Sequence, residues 1–229
     1  ELGLNFKGFS TQAGFFDFDM DGDLDMYLMN HSLHHNGTFG KRSEFLNSYD
    51  SLSGDRLYRN DNQIFKDVTK TSGIYSHVSG YGLGLAFGDI NMDGWPDIYV
   101  ANDFHENDYL YINQKDGTFK EALVDQMMHT SRFSMGVDIA DINNDCHPDI
   151  ISLDMLPEDP VILKRSEGED ALDIFKFKLN YGYNHQYAKN NLQLNTGHNS
   201  FKEVAMYSGV HATDWSWSPL MFDIDMDGH

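Results

Sequence analysis

The hydrophobic positions of this chain fall in short runs that recur in a fixed order. DMYLMN (25–30), DIYVAN (97–102) and DIISLD (149–154) are rich in β-branched and aromatic residues and are bounded by Gly, Asn and Asp. Runs of that length and composition between turn formers predict β-strands. Each is followed by a second run ending in asparagine: LYRN (57–60), LYIN (110–113) and LQLN (192–195). Eight or nine residues beyond each leucine stands Phe65, Phe119 or Phe201, inside IFKDV, TFKEA or SFKEV. Ahead of each first run an aromatic precedes a small residue: Phe9-Ser10, Tyr81-Gly82 and Phe133-Ser134, with Trp215-Ser216 as a fourth copy. The unit is therefore strand A, loop, strand B, strand C, strand D. It repeats over about 9–72, 81–125 and 133–207, with a truncated copy at 215–229. Repeated four-strand units predict an all-β fold, a β-propeller of which 1–229 forms part.

The A–B connection is the most regular segment. It reads DFDMDGDLD (17–25), DINMDGWPD (89–97), DINNDCHPD (141–149) and DIDMDGH (223–229), so the last copy stops before its ninth position. Calcium takes six to eight hard oxygen ligands in flexible geometry, and a loop of alternating carboxylates and amides supplies them. The first loop offers Asp17, Asp19, Asp21, Asp23 and Asp25. The second offers Asp89, Asn91, Asp93, the Trp95 carbonyl and Asp97. The third offers Asp141, Asn143, Asp145, the His147 carbonyl and Asp149, and the fourth Asp223, Asp225 and Asp227. Glycine at position 6 permits a positive-φ turn, and Cys146 replaces it in the third loop, which puts that site in question. An EF-hand needs Glu at position 12, where Leu28, Val100 and Ser152 stand, and a helix rather than a strand after it. Zinc is disfavoured because no Cys/His set accompanies the loops. The bland alternative, solvated Asp/Gly turns, fits one copy better than three. The ions are expected to be structural, up to one per repeat, holding strands A and B in register.

Spacing locates the insertions. From the first loop Asp to the leucine of strand C takes 40, 21 and 51 residues, so extra chain enters the B–C connection at about 31–54 and 155–189. A–B and B–C turns lie at opposite ends of a four-strand unit, so the insertions are expected opposite the aspartate loops, on the face that repeat proteins often use for binding. His31, His34 and His35, with Asp50 and Asp55 further on, lie in the first insertion, and His105, Glu106 and Asp108 in the short second B–C loop. His31, His34, His35, His105, Glu106 and Asp108 form a candidate ligand face, against the plainer reading of polar surface loops. His185, in the insertion of the third repeat, carries the same two readings. Residues 161–180 have some helical spacing. Trp215 and Trp217 suit inter-sheet packing better than glycan stacking, because aromatics recur at the position of Trp215.

Composition narrows the function. With 36 Asp and Glu against 16 Lys and Arg, the net charge is −20, which disfavours nucleic acid and anionic membranes. The apolar content of 40% and its patterning exclude disorder. One cysteine, Cys146, allows no internal disulfide, and no run is long enough for a membrane helix. Asn36-Gly37-Thr38 fits an N-glycosylation pattern and Asp50-Ser51-Leu52 resembles a bacterial O-glycosylation site, three-residue motifs that also occur by chance. No phosphate-binding loop, nucleophile elbow or CxxC appears.

GLGLAFGDINMDGWPDIYVAND (82–103) resembles the FG-GAP/VCBS repeats of integrin-like propellers. NHSLHH, SGDRLYRND, NDFHENDYLYIN, SRFSMG, SLDMLPED and ATDWSWSP are similar to the large bacterial VCBS proteins of the cartilage-acidic-protein group, in which an ASPIC-type domain often follows the propeller. The resemblance implies that ELGL at the start is the tail of a preceding repeat. It also implies an extracellular or bacterial cell-surface location, where millimolar calcium suits simple loops. Its partners would be a protein or a glycan, an outer-membrane importer complex among them. The expected function is a calcium-binding scaffold or binding module. A glycan-active enzyme using insertion His and acidic residues is the second expectation, and a purely structural array the third.

Overall fold

The computed structural model describes residues 2–33, 40–166 and 168–225. In chain order it contains β1 (Ser10–Phe16), β2 (Asp25–Asn30), α1 (Arg42–Phe45), β3 (Arg56–Asn60), β4 (Phe65–Asp67) and α2 (Thr69–Ser72). There follow β5 (Gly82–Gly88), β6 (Asp97–Asn102), β7 (Tyr109–Asn113), β8 (Phe119–Glu121), α3 (Leu123–Gln126), β9 (Thr130–Ser131), β10 (Gly136–Ala140) and β11 (Asp149–Leu153). The chain continues through α4 (Pro160–Leu163), α5 (Leu172–Asn180), β12 (Gln186–Tyr187), β13 (Asn191–Asn195), β14 (Phe201–Glu203) and α6 (Ala205–Ser208).

Three antiparallel four-stranded sheets result, ordered β1-β2-β3-β4, β5-β6-β7-β8 and β10-β11-β13-β14. The chain is thus all-β in its organisation, and the three sheets do not close a ring among the described residues. The first strands of successive sheets lie against each other, β5 meeting both β1 and β10. Glycine makes this approach possible: a Cβ on Gly84 would stand 2.9 Å from the Gly136 Cα. Phe16 of β1 stacks on Phe87 of β5 with centroids 4.1 Å apart.

The two-residue period of a strand explains the core. On β6, Ile98 and Val100 enter a cluster with Phe16, Phe18, Tyr27, Met29, Leu57 and Tyr111 from both sheets. The alternate residues Tyr99 and Ala101 enter a second cluster with Leu110, Leu123, Ile150 and Phe201 toward the third sheet. A middle strand buried on both faces reads as a continuous apolar run, as DIYVAN does.

The insertions fold as follows. The insertion of the first repeat carries α1, and that of the third repeat carries α4 and α5, two helices where the spacing over 161–180 suggested one short one. The third returns through β12, which pairs in parallel with β9. Residues 215–225 form no strand, unlike the strand A expected there. Trp215 and Trp217 are 64% and 57% exposed, so neither packs in a core, although Tyr81 and Phe133 at the corresponding positions are buried. This segment runs beside β10, with Met221 N donating to Asp138 Oδ2 at 2.6 Å.

Candidate cation loops and the insertion face

Each aspartate loop joins the first two strands of a sheet. The residue before the loop pairs with position 9 in every case: Phe16 with Asp25, Gly88 with Asp97 and Ala140 with Asp149. A strand, not a helix, follows each loop. Inside the loop, the position 1 carboxylate accepts from the backbone at positions 5 and 6. Asp17 takes Asp21 N and Gly22 N at 3.1 and 3.0 Å, and Asp89 takes Asp93 N and Gly94 N, both at 2.8 Å. Asp141 takes Asp145 N and Cys146 N at 3.1 and 2.8 Å. Position 6 has positive φ throughout: 95° at Gly22, 87° at Gly94 and 68° at Cys146. Cys146 therefore adopts the conformation that glycine takes in the other two loops.

Position 9 is built into the sheet. Asp25, Asp97 and Asp149 are fully buried. One oxygen of each accepts from the backbone at position 2, namely Phe18, Ile90 or Ile142. The other accepts from the asparagine ending the third strand, Asn60, Asn113 or Asn195, at 2.8 Å each. Burial raises the Asp25 carboxyl to about 6 and the Asp97 carboxyl to about 7, and it raises Asp149 as well. A divalent cation nearby would reverse that tendency, since positive charge favours the ionised form.

Oxygens of Asp17, Asp19 and Asp21 lie within 4.8 Å of one another, the one such trio of acidic, His or Cys side chains among the described residues. Asp19 Oδ1 and Asp23 Oδ1 are shielded from solvent and make no hydrogen bond. Burial, then the Asp21 charge, raises the Asp19 carboxyl. Unpaired shielded oxygens among like charges fit a hard cation, which would supply the missing partner. The second and third loops differ at position 3: Asn91 Nδ2 donates to Asp93 Oδ2 and Asn143 Nδ2 to Asp145 Oδ2, both at 3.0 Å. In the fourth copy Asp223 and Asp225 are exposed and lie outside any strand, and Asp227 lies outside the described residues.

At the other end of the sheets the two insertions meet over the second B–C loop. Arg42 Nε pairs with Glu106 Oε1 at 2.7 Å, with side chains 8% and 0% exposed. Arg42 N donates to Tyr181 O at 2.8 Å and Tyr183 Oη to Gly40 O at 3.0 Å, tying the first insertion to the third. Gln186 Nε2 donates to Glu106 O at 2.7 Å, and Asn184 N to Asn107 Oδ1 at 2.8 Å. His31 and His105 both pack edge-on against Tyr81, at 5.4 and 5.5 Å between centroids. Burial holds the His31 imidazole below its ordinary value, and burial followed by the Arg42 charge lowers His77 to about 3. His34, His35 and Asn36-Gly37-Thr38 lie outside the described residues. His185 is exposed, its ring 5.7 Å from that of Phe175.

Asp108 turns inward instead of toward a ligand. It accepts from Tyr99 Oη at 2.7 Å, Asn102 N at 2.8 Å and Ser134 Oγ at 3.0 Å. Asp55 does the same in the first sheet, accepting from Tyr27 Oη and Asn30 N, both at 2.8 Å. In the third sheet the acid and amide change places, for Asp154 N donates to Asn190 Oδ1 at 2.7 Å. There Ile151 stands where Tyr27 and Tyr99 do, so no phenol is left to satisfy. Sequence reading missed Arg42 and this clamp, although the residue before each third strand (Asp55, Asp108, Asn190) is polar in every repeat, which was the available signal.

The class is thus a repeat of antiparallel four-stranded sheets, each carrying an acidic A–B hairpin. Residues 42–100 and 89–152 match the FG-GAP-like repeat family, so the chain carries two FG-GAP-like repeats. Each match ends at position 12 of an aspartate loop, Val100 or Ser152, so both run from the last two strands of one sheet into the first two of the next, and the second also takes in β6. No curated protein matches the chain.

Proposed function

We propose that this chain is a calcium-held part of a β-propeller that serves as an extracellular or cell-surface binding and scaffold module. The observation that carries the reading is the aspartate hairpin built three times with one hydrogen-bond pattern, together with the unpaired, shielded oxygens of Asp19 and Asp23. Asp17, Asp19, Asp21 and Asp23 would hold the first ion with Asp25 behind them. Asp89, Asn91, Asp93 and Asp97 would hold the second, and Asp141, Asn143, Asp145 and Asp149 the third, with the carbonyls of Trp95 and His147 as further donors. A bound ion supplies positive charge that relieves carboxylate repulsion at the end of each sheet. The similarity to bacterial VCBS repeats favours a surface location. No helix among the described residues is long and apolar enough to cross a membrane.

The insertion face is the recognition surface in this reading, its partner a protein or a glycan. Glu106 and Asp108 are bound to Arg42 and Tyr99, which supports a module over a glycan-active enzyme, whose acid and base need access to substrate. Calorimetric melts in millimolar calcium and after chelation test the first half of the proposal. A rise of several degrees with calcium is expected, and identical melts would refute it. A glycan array and a pull-down, each with and without calcium, test the second half; binding to nothing in either would count against it.

A further inference from the structure

One position of the C–D turn faces the aspartate loop in all three sheets, and a different residue fills it each time. Asn62, Lys115 and Gly197 each stand two residues past the asparagine that ends the third strand, with φ of 55°, 64° and 71°. A Cβ on Gly197 would lie 2.5 Å from His147 Nε2 of the third loop. The Asn62 backbone acts on the Asp23 carboxylate of the first loop, favouring its ionised form. Lys115 instead sends its ammonium into the second loop, where Nζ lies 3.2 Å from Asp93 O and 3.3 Å from Asp93 Oδ2.

Among the described residues no ammonium or guanidinium forms an ion pair with a carboxylate of the first loop, although the Arg59 charge acts on Asp19 and Asp25 from outside it. Its nearby cations, Arg59 and Lys66, ion-pair with Asp61 at 2.7 and 2.5 Å. It also carries five carboxylates, Asp17, Asp19, Asp21, Asp23 and Asp25, where the second has three, Asp89, Asp93 and Asp97. Carboxylate count sets much of a calcium loop's affinity.

We propose that the Lys115 ammonium is a tethered counter-ion of the second loop, which a divalent cation must displace, so that the first loop fills at lower cation concentration than the second. This rests on the cation reading of the loops. Lys115 stands in for part of the ion's charge at Asp93, holds the loop together without metal, and opposes metal entry.

The test is a terbium titration of the chelator-stripped protein, exciting tryptophan, with a calcium calorimetric titration beside it. Trp95 at position 7 makes the second loop the sensitised site, and Trp95→Phe identifies its share of the emission. Lys115→Met keeps side-chain length and removes the charge; methionine already adopts the required backbone at Met20 and Met92, with φ of 58° and 59°. The Trp95-dependent midpoint should move to about fivefold lower terbium in Lys115→Met, the scale of one partly screened charge, while Lys115→Arg keeps the parent value. Calcium calorimetry should show a tighter event, lost in Asp19→Asn, that Lys115→Met leaves unchanged. An unmoved Trp95-dependent midpoint in Lys115→Met, or a second loop that fills first, would overturn the inference while leaving cation binding intact. Absence of terbium and calcium binding at any site would overturn the cation reading itself.

Discussion

Asn113 donates from the end of the second sheet's third strand to the Phe18 carbonyl at 2.8 Å, across 95 positions of sequence. Asn195 repeats the bond on the Ile90 carbonyl at 2.8 Å. Phe18 and Ile90 are position 2 of the first and second aspartate loops, so each of these loops is stapled to the next sheet. The Asn113 amide also donates to Pro96 O, and its oxygen accepts from Lys115 N. Asn113→Ala would orphan these groups, and a loss of about 2 kcal/mol is expected, read from urea unfolding at fixed calcium. A variant as stable as the parent would mean that the staple contributes nothing.

The buried carboxyls of Asp55 and Asp108 predict a pH dependence. Burial raises both to about 7, while carboxyls of the unfolded chain titrate near about 4. Between those values the unfolded chain sheds the proton and the folded chain keeps it, so each group lowers stability as pH rises through that window, with no further slope above it. Asp108→Asn, the residue that Asn190 supplies in the third sheet, removes the effect. At saturating calcium the variant should gain on the parent by on the order of 2 kcal/mol between pH 4.5 and pH 7. A constant difference across that range would contradict the assignment.

The Arg42–Glu106 pair predicts an asymmetric mutational response. Arg42→Ala leaves a buried carboxylate alone and should cost about 3 kcal/mol, whereas the double variant Arg42→Met/Glu106→Leu should recover most of that loss. The pair also fastens the first insertion to the second B–C loop, beside the separate bonds of the Arg42 backbone and Gly40 to Tyr181 and Tyr183. Limited proteolysis of Arg42→Ala should therefore cut within 40–54 sooner than in the parent. Equal cleavage rates would show that the insertion is held by other contacts.

Cys146 gives the simplest stabilising change. Its φ of 68° matches the region glycine occupies at this position in the other loops. Cys146→Gly should raise stability in calcium by about 1 kcal/mol and tighten the third site. A lower melting temperature for the variant would show that the cysteine side chain contributes contacts that outweigh the backbone strain.

Much of the fold was written in the chain as period and spacing. The short apolar runs such as DMYLMN and DIYVAN and the aspartate ruler placed β1 to β8 and their antiparallel order, because strand pairing across a short hairpin is a local matter. The unequal lengths between loop and third strand placed both insertions. The loop lattice was legible too, since positions 1, 5 and 6 meet within one turn of chain.

Tertiary structure decided what long-range contact decides. Asp108 reads as an exposed loop acid, yet the phenol of Tyr99 and the hydroxyl of Ser134 draw it inside. Glu106 reads as a ligand-face carboxylate, yet Arg42, 64 residues earlier, claims it. Trp215 reads as a packing aromatic, yet it is exposed because residues 215–225 pair with no sheet. The aspartate loops depend mainly on neighbours within a few residues, so sequence alone specifies them. The insertion face depends on which side chains from distant repeats share a low-dielectric interior, and only the folded chain brings those together.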